Sequence, residues 1–215
     1  MYKTVLFDLD GTLMDSGPGI INSIKYALDK IGAPFPAEEV FYKFIGPPLL
    51  DSYGKYCNLT GDIAWEALEL YREYFSTKGA FENSVYDGIE ECLVQLRDAG
   101  KRLIIATSKP EIYAVDIVRH FGLDKYFDFV AGASMDETCN KKPDVIRYAL
   151  ERAGICNPSE VVMVGDRSYD VTGAAELGMD SIGVLYGYGS LKELEDAGAT
   201  FTAKTPREIA GVILR

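Results

Sequence analysis

Short, unbroken apolar runs recur along the chain, each followed by a helix-length segment of mixed polarity. The clearest are Thr4-Val5-Leu6-Phe7, Leu103-Ile104-Ile105-Ala106 and Val161-Val162-Met163-Val164. Phe127-Asp128-Phe129-Val130 and Ser181-Ile182-Gly183-Val184 are weaker versions. Runs without alternation predict strands buried on both faces, as in a parallel sheet covered by helices. Segments 88–99, 111–121, 144–153, 169–177 and 206–214 have helical composition. Gly100, Gly122, Gly154 and Gly178 stand where left-handed stops would close four of these helices. Strand-helix alternation of this kind predicts the α/β class, with a doubly wound, Rossmann-like parallel sheet.

One stretch breaks the alternation. Residues 17–79 hold no convincing strand, only helical segments punctuated by Pro34, Pro36, Gly46-Pro47-Pro48 and Gly61. Trp65, Leu68 and Arg72 recur at about one-turn steps within 63–75, and the aromatic residues of the stretch are expected to form its core. A long crossover would read the same way, but the length favours an inserted subdomain. The expected organisation is a Rossmann-like core of residues 1–16 and 84–215 and an α-helical cap domain of residues 17–83. The hinges are expected at Ser16-Gly17-Pro18-Gly19 and across 79–86.

Composition narrows the function classes. The 215 residues are 47% hydrophobic, enough to bury a real core, and carry 33 acidic against 22 basic side chains, a net charge of -11. That balance argues against nucleic acid or an anionic membrane as a partner. A single histidine, His120, excludes multi-histidine zinc sites. Cys57, Cys92, Cys139 and Cys156 are scattered without a C-x-x-C pair and are expected to be reduced, mostly buried thiols. The opening MYKTVLFD is too short an apolar run for a secretory signal, and no run is long enough to cross a bilayer. A cytoplasmic protein is expected, as a monomer or small homo-oligomer.

In an open parallel sheet, chemistry collects at the carboxyl ends of the strands. The first run ends in Asp8-Leu9-Asp10-Gly11-Thr12, the second in Thr107-Ser108-Lys109-Pro110, and the Val161 run in Gly165-Asp166-Arg167-Ser168-Tyr169-Asp170. Asn140-Lys141-Lys142-Pro143 stands directly before a helix. Several carboxylates brought together cannot all stay ionised without compensation. The remedy for oxygen-only ligands is a hard divalent cation, and Mg2+ suits a few carboxylates with substrate phosphate. Such a site is built for an anionic, phosphate-bearing small molecule, with a carboxyl group handling the proton. An EF-hand loop fails at Leu13 and Gly19, no P-loop exists, and Gly187-Tyr188-Gly189 is expected to be a plain turn.

Asp8-x-Asp10-Gly11-Thr12, Thr107-Ser108, Lys142-Pro143 and Gly165-Asp166-x-x-x-Asp170 occur in the order and spacing of four motifs. In this the chain resembles the haloacid dehalogenase-like hydrolase superfamily, and most of all its phosphoglycolate phosphatase-like branch, along essentially its whole length. The resemblance implies that Asp8 attacks phosphorus to form an aspartyl-phosphate. Asp10 would protonate the leaving alkoxide and then deprotonate the hydrolytic water. Gly11 would permit the tight turn beside the substrate and Thr12 would steady it. Thr107 and the Ser108 backbone would hold phosphoryl oxygens, and Lys142 would pair with Asp8 and the transferring phosphate. Mg2+ would be held by Asp8, the Asp10 carbonyl and Asp166, with Asp170 direct or one layer out. Dehalogenase members lack the second acid, so Asp10 points to phosphoryl transfer. The implied activity is hydrolysis of a phosphoglycolate-, nucleotide- or sugar-phosphate-like monoester. A phosphomutase of the same fold and a non-catalytic phosphate-binding protein are the alternatives.

Local structure offers other uses for several of these residues. Thr107 and Ser108 could cap the helix after Pro110, and Asp170 could cap its own helix. Lys141 competes with Lys142. Lys109, Arg167 and His120 are expected to serve local structure or solvent contact. The cap is expected to carry specificity, with Phe44-Ile45-Gly46-Pro47-Pro48-Leu49 resembling the family's substrate-facing loop.

Overall fold

The computed structural model describes residues 1–136 and 138–215. Its strands are β1 (Thr4–Phe7), β2 (Met14–Asp15), β3 (Ser84–Val85), β4 (Arg102–Pro110), β5 (Val130–Ala133), β6 (Val161–Gly165), β7 (Asp180–Val184) and β8 (Phe201–Ala203). Its helices are α1 (Gly17–Lys30), α2 (Glu38–Phe41), α3 (Leu49–Cys57), α4 (Asp62–Thr77), α5 (Ile89–Asp98), α6 (Glu111–His120), α7 (Lys142–Ala153), α8 (Ser168–Glu176), α9 (Leu191–Asp196) and α10 (Pro206–Ile213). The chain divides into two compact units, Met1–Met14 with Val85–Arg215, and Asp15–Ser84.

The larger unit is built on a six-stranded parallel sheet in the order β5-β4-β1-β6-β7-β8. The Rossmann-like α/β architecture expected from the apolar runs is therefore present. β1 lies between β4 and β6, with Phe7 in register with both Ile105 and Val164. All four β1 residues and all five β6 residues are buried, which is why these strands carry no polar alternation. Leu6, Ile104, Ala131 and Met163 pack beneath Val145, Ile146 and Ala149 of α7 in one continuous core. The four helix-closing glycines, Gly100, Gly122, Gly154 and Gly178, all take positive φ, from 67° to 74°.

One strand shifts and three short ones, β2, β3 and β8, are added. The run expected at 127–130 becomes β5 three residues later, at Val130–Ala133. Asp128 is drawn to the surface by Arg97 and Arg102, at 2.9 Å each, while Val-Ala-Gly-Ala fills the buried position. A side chain at Gly132 would collide with the Glu111 backbone, so this strand is small where α6 begins. β8 and α9 were not expected, being short and half-exposed.

The smaller unit is helical apart from one residue each of β2 and β3, as expected. Ala64, Ala67, Leu68, Tyr71 and Phe75 form the buried stripe of α4, joined by Tyr53, Phe41 and Phe44. Trp65 is not core: it falls beside that stripe and is 44% exposed, while Phe35 and Tyr42 are also exposed. The four thiols are unbridged, but only Cys92 is buried; Cys57 and Cys139 are half-buried and Cys156 is exposed. Among the described residues, no helix is long and apolar enough to cross a membrane.

Candidate active site

The register that aligns Phe7 with Ile105 and Val164 brings three chain segments to one edge of the sheet. Asp8 is the first residue past β1; its amide donates to Val164 O at 2.9 Å, and its Oδ1 accepts from Leu9 N–H at 2.8 Å. The chain then folds back on itself, with the Leu13 and Met14 amides both donating to Leu9 O at 3.0 Å. Gly11 makes this turn possible. Its φ is +77°, and a side chain there would collide with the Asp166 carboxylate.

Lys142 opens α7 with Pro143 directly behind it and is buried, whereas Lys141 is exposed and contributes the carbonyl that begins the helix. The Lys142 ammonium lies 2.8 Å from Asp8 Oδ1, 2.9 Å from Asp170 Oδ1 and 3.1 Å from Ala106 O. Asp170 serves two purposes at once. Its Oδ2 accepts from the Arg167 amide at 3.0 Å as a helix cap, and its Oδ1 faces Lys142. Asp166 is fully buried; its Oδ2 accepts from Tyr188 N–H at 2.8 Å, and Thr12 Oγ1 stands 3.5 Å from its Oδ1. Asp8, Asp166 and Asp170 each place one oxygen within 4.8 Å of the others.

Asp10 faces a different partner. Its Oδ2 is 2.9 Å from the ammonium of Lys109, a buried residue that sequence reasoning assigned to local structure. Lys109 turns inward where the pairing of β4 with β5 shifts register between Thr107 and Pro110. Its only sequence signal was its place directly after Thr107-Ser108. Thr107 is buried and its Oγ1 accepts from Lys109 N–H at 3.2 Å; Ser108 is half-buried. Neither caps α6, whose N-cap is Pro110. The Arg167 guanidinium bonds Glu193 while its main-chain amide serves Asp170, and His120 packs its exposed ring against Phe121.

The charges do not balance. Burial pushes Asp166 well above the ordinary carboxylate range, and Asp170 and Asp8 push it further. Burial also raises Asp170; Lys142 opposes this and Asp8 adds to it, leaving Asp170 at about 6. Burial works against the Lys142 ammonium, but Asp170 and Asp8 outweigh it and hold the ammonium above its usual value. One buried cation faces three buried carboxylates, and all donors are oxygen. That set fits a hard divalent cation of the Mg2+ type.

A stability consequence follows from the sign of these shifts. Between the ordinary 3.8 and about 6, folded Asp170 holds a proton that the unfolded chain has released. The metal-free protein is then favoured at the low end of that window and loses this contribution as pH rises through 6. Its thermal midpoint, measured in EDTA, is expected to fall from pH 5 to pH 7, and Mg2+ at pH 7 is expected to recover it. A midpoint that climbs over that range without metal would contradict the assignment of the trio as uncompensated.

Residues 5–184 match the haloacid dehalogenase-like hydrolase family. A 5'-nucleotidase of Pseudomonas aeruginosa is 42% identical, over 90% of this chain and 87% of its own length. The tyrosine-protein kinase PtkA of Mycobacterium tuberculosis is 44% identical, over 92% of this chain and 67% of its own length. The crystal structure of a predicted phosphatase from Clostridium acetobutylicum is 46% identical and superimposes with a TM-score of 0.95, over 100% of this chain and 99% of that one. With the carboxylate trio and its lysine at the carboxyl edge of the sheet, the chain belongs to the haloacid dehalogenase-like hydrolases, in their phosphoglycolate phosphatase-like branch, and is a phosphatase-type hydrolase.

Proposed function

We propose that the protein hydrolyses a small phosphomonoester in a Mg2+-dependent reaction, with Asp8 as the nucleophile. The observation that carries the reading is the buried Asp8–Lys142 pair at 2.8 Å, set among Asp166 and Asp170. Lys142 pairs with the Asp8 carboxylate in a buried place and supplies positive charge where phosphoryl oxygens would come to rest. An Asp8 oxygen attacks phosphorus, the ester P–O bond breaks, and the leaving alkoxide takes a proton from Asp10. Asp10, now a carboxylate beside Lys109, removes a proton from water, which attacks the phosphorus of the aspartyl-phosphate. Inorganic phosphate leaves and Asp8 is regenerated. Thr107 and the Ser108 backbone hold the phosphoryl oxygens.

Asp8, the Asp10 carbonyl and Asp166 are the residues that would hold Mg2+, with Asp170 beside them. When bound, the ion supplies charge neutralisation to the phosphoryl group. The identity shared with PtkA favours one further reading of the same site, in which a tyrosine hydroxyl replaces water as the acceptor.

The test is a phosphate-release screen over 5'-nucleotides, phosphoglycolate and sugar phosphates. Release is expected from at least one class with Mg2+, abolished by EDTA and restored by added Mg2+. Isomerisation without stoichiometric phosphate would establish a mutase, and binding without turnover a phosphate-binding protein. Transfer of label from ATP to a tyrosine peptide would establish the acceptor reading.

A further inference from the structure

The Gly187-Tyr188-Gly189 segment lies in the loop 185–190 between β7 and α9, and it is more than a turn. Tyr188 N–H donates to Asp166 Oδ2 at 2.8 Å. A side-chain carbon at Gly187 would collide with the Gly11 carbonyl and stand 2.6 Å from Asp166 Oδ2. One at Gly189 would collide with the Asp166 carbonyl. Backbone therefore lies against Asp166 on both sides of Tyr188, with no space between.

The loop is also tied to the first motif. The Tyr186 hydroxyl donates to Thr12 O at 2.9 Å, and its half-buried ring stands edge-on to Tyr86 at 5.0 Å. At the far end, Glu193 Oε1 accepts from Ser168 N–H at 2.9 Å and from Arg167 Nε–H at 3.0 Å, which secures the segment just after Asp166. The Tyr188 bond occupies one Asp166 oxygen. Among the described residues, its other oxygen has only the 3.5 Å contact from Thr12 Oγ1 and is the less engaged of the two.

We propose that the loop 185–190 is a positioning element for the metal site: Tyr186, Gly187 and the Tyr188 amide fix the rotation of the Asp166 carboxylate and so set the affinity for Mg2+. The inference rests on the Mg2+ reading of the site. Partners that orient a ligating carboxylate typically change metal affinity by about 10- to 100-fold when lost. A loop that only fills space would, when altered, lower the thermal midpoint and leave the affinity of the folded protein unchanged.

The experiment is calorimetric titration of Mg2+ into folded wild type and Gly187→Ala, well below their thermal midpoints. A methyl at Gly187 must push the loop away from Asp166 and Gly11. Gly187→Ala is expected to weaken Mg2+ binding about tenfold or more. The Mg2+ concentration for half-maximal phosphate release should rise with it, while kcat at saturating Mg2+ changes far less. Tyr186→Phe keeps the ring and removes only the bond to Thr12 O; it serves if Gly187→Ala does not fold, with an expected weakening of roughly threefold. Wild-type affinity in the folded variant overturns the inference. Absence of Mg2+ binding by the wild type overturns the metal reading itself, a separate result that removes this inference with it.

Discussion

Asp8→Asn is expected to lower turnover of p-nitrophenyl phosphate in Mg2+ by roughly 10³-fold or more, because the phosphoryl group then has no carboxylate to receive it. The substitution is close to isosteric, and the asparagine oxygen can still accept from Leu9 N–H, which the native carboxylate does at 2.8 Å. It removes one of three clustered negative charges, so the metal-free fold does not suffer from added repulsion. Circular dichroism should therefore be unchanged while phosphate release is lost. Mg2+ affinity should fall as well, since Asp8 contributes one oxygen of the trio. Full activity in this variant would remove Asp8 from the chemistry.

The second large effect belongs to Lys142→Ala. The native ammonium is buried and answers both Asp8 and Asp170. Its removal takes from Asp8 and Asp170 the ammonium they share, and stranding a buried charge in this way costs about 3–5 kcal/mol. The loss should be greatest in EDTA at pH 7. It should shrink at pH 5, where Asp166 and Asp170, raised by burial, take up protons, and it is expected to shrink again in added Mg2+. Lys142→Arg is not expected to restore activity, because a planar guanidinium does not fit the three closely spaced oxygens that the ammonium reaches. Urea unfolding with and without Mg2+ at the two pH values measures all of this. Equal destabilisation under every condition would show that Lys142 matters for packing alone.

The parts of the site that were legible in sequence share one property: a buried apolar run that ends abruptly in acids. Nothing in a hydrophobic core needs Asp8 or Asp166, so their position at the ends of β1 and β6 marked them. Lys142 was separable from Lys141 only by its place before Pro143, which starts α7 and turns one lysine inward and the other out. β5 was misplaced because Val130 is the one branched residue in Val-Ala-Gly-Ala and no aromatic follows it, the small side chains being set by α6 packed on top. Lys109 was missed because its partner, Asp10, becomes visible only once β4 is laid beside β1. The Tyr188 contact to Asp166 is made by a main-chain amide, which any residue but proline would supply. Trp65 was misjudged because spacing of one turn places a residue near a stripe and does not decide on which side of it.

The central place of β1 has a consequence for how the protein comes into being. The strand that ends just before Asp8 leaves the ribosome before every other strand of its sheet. Its two sheet neighbours lie on the far side of the helical insertion, and β6 comes later than β4. Lys142, Asp166 and Asp170 are likewise late arrivals. Pairings so distant in sequence form slowly, and only after the intervening loops have closed. During synthesis Asp8 therefore stays in water, while the contiguous insertion has all of its own residues in hand long before. The cluster is completed in one late event, when the second half of the sheet docks on β1, and a chain stopped before β6 has Asp8 but neither Asp166 nor Asp170.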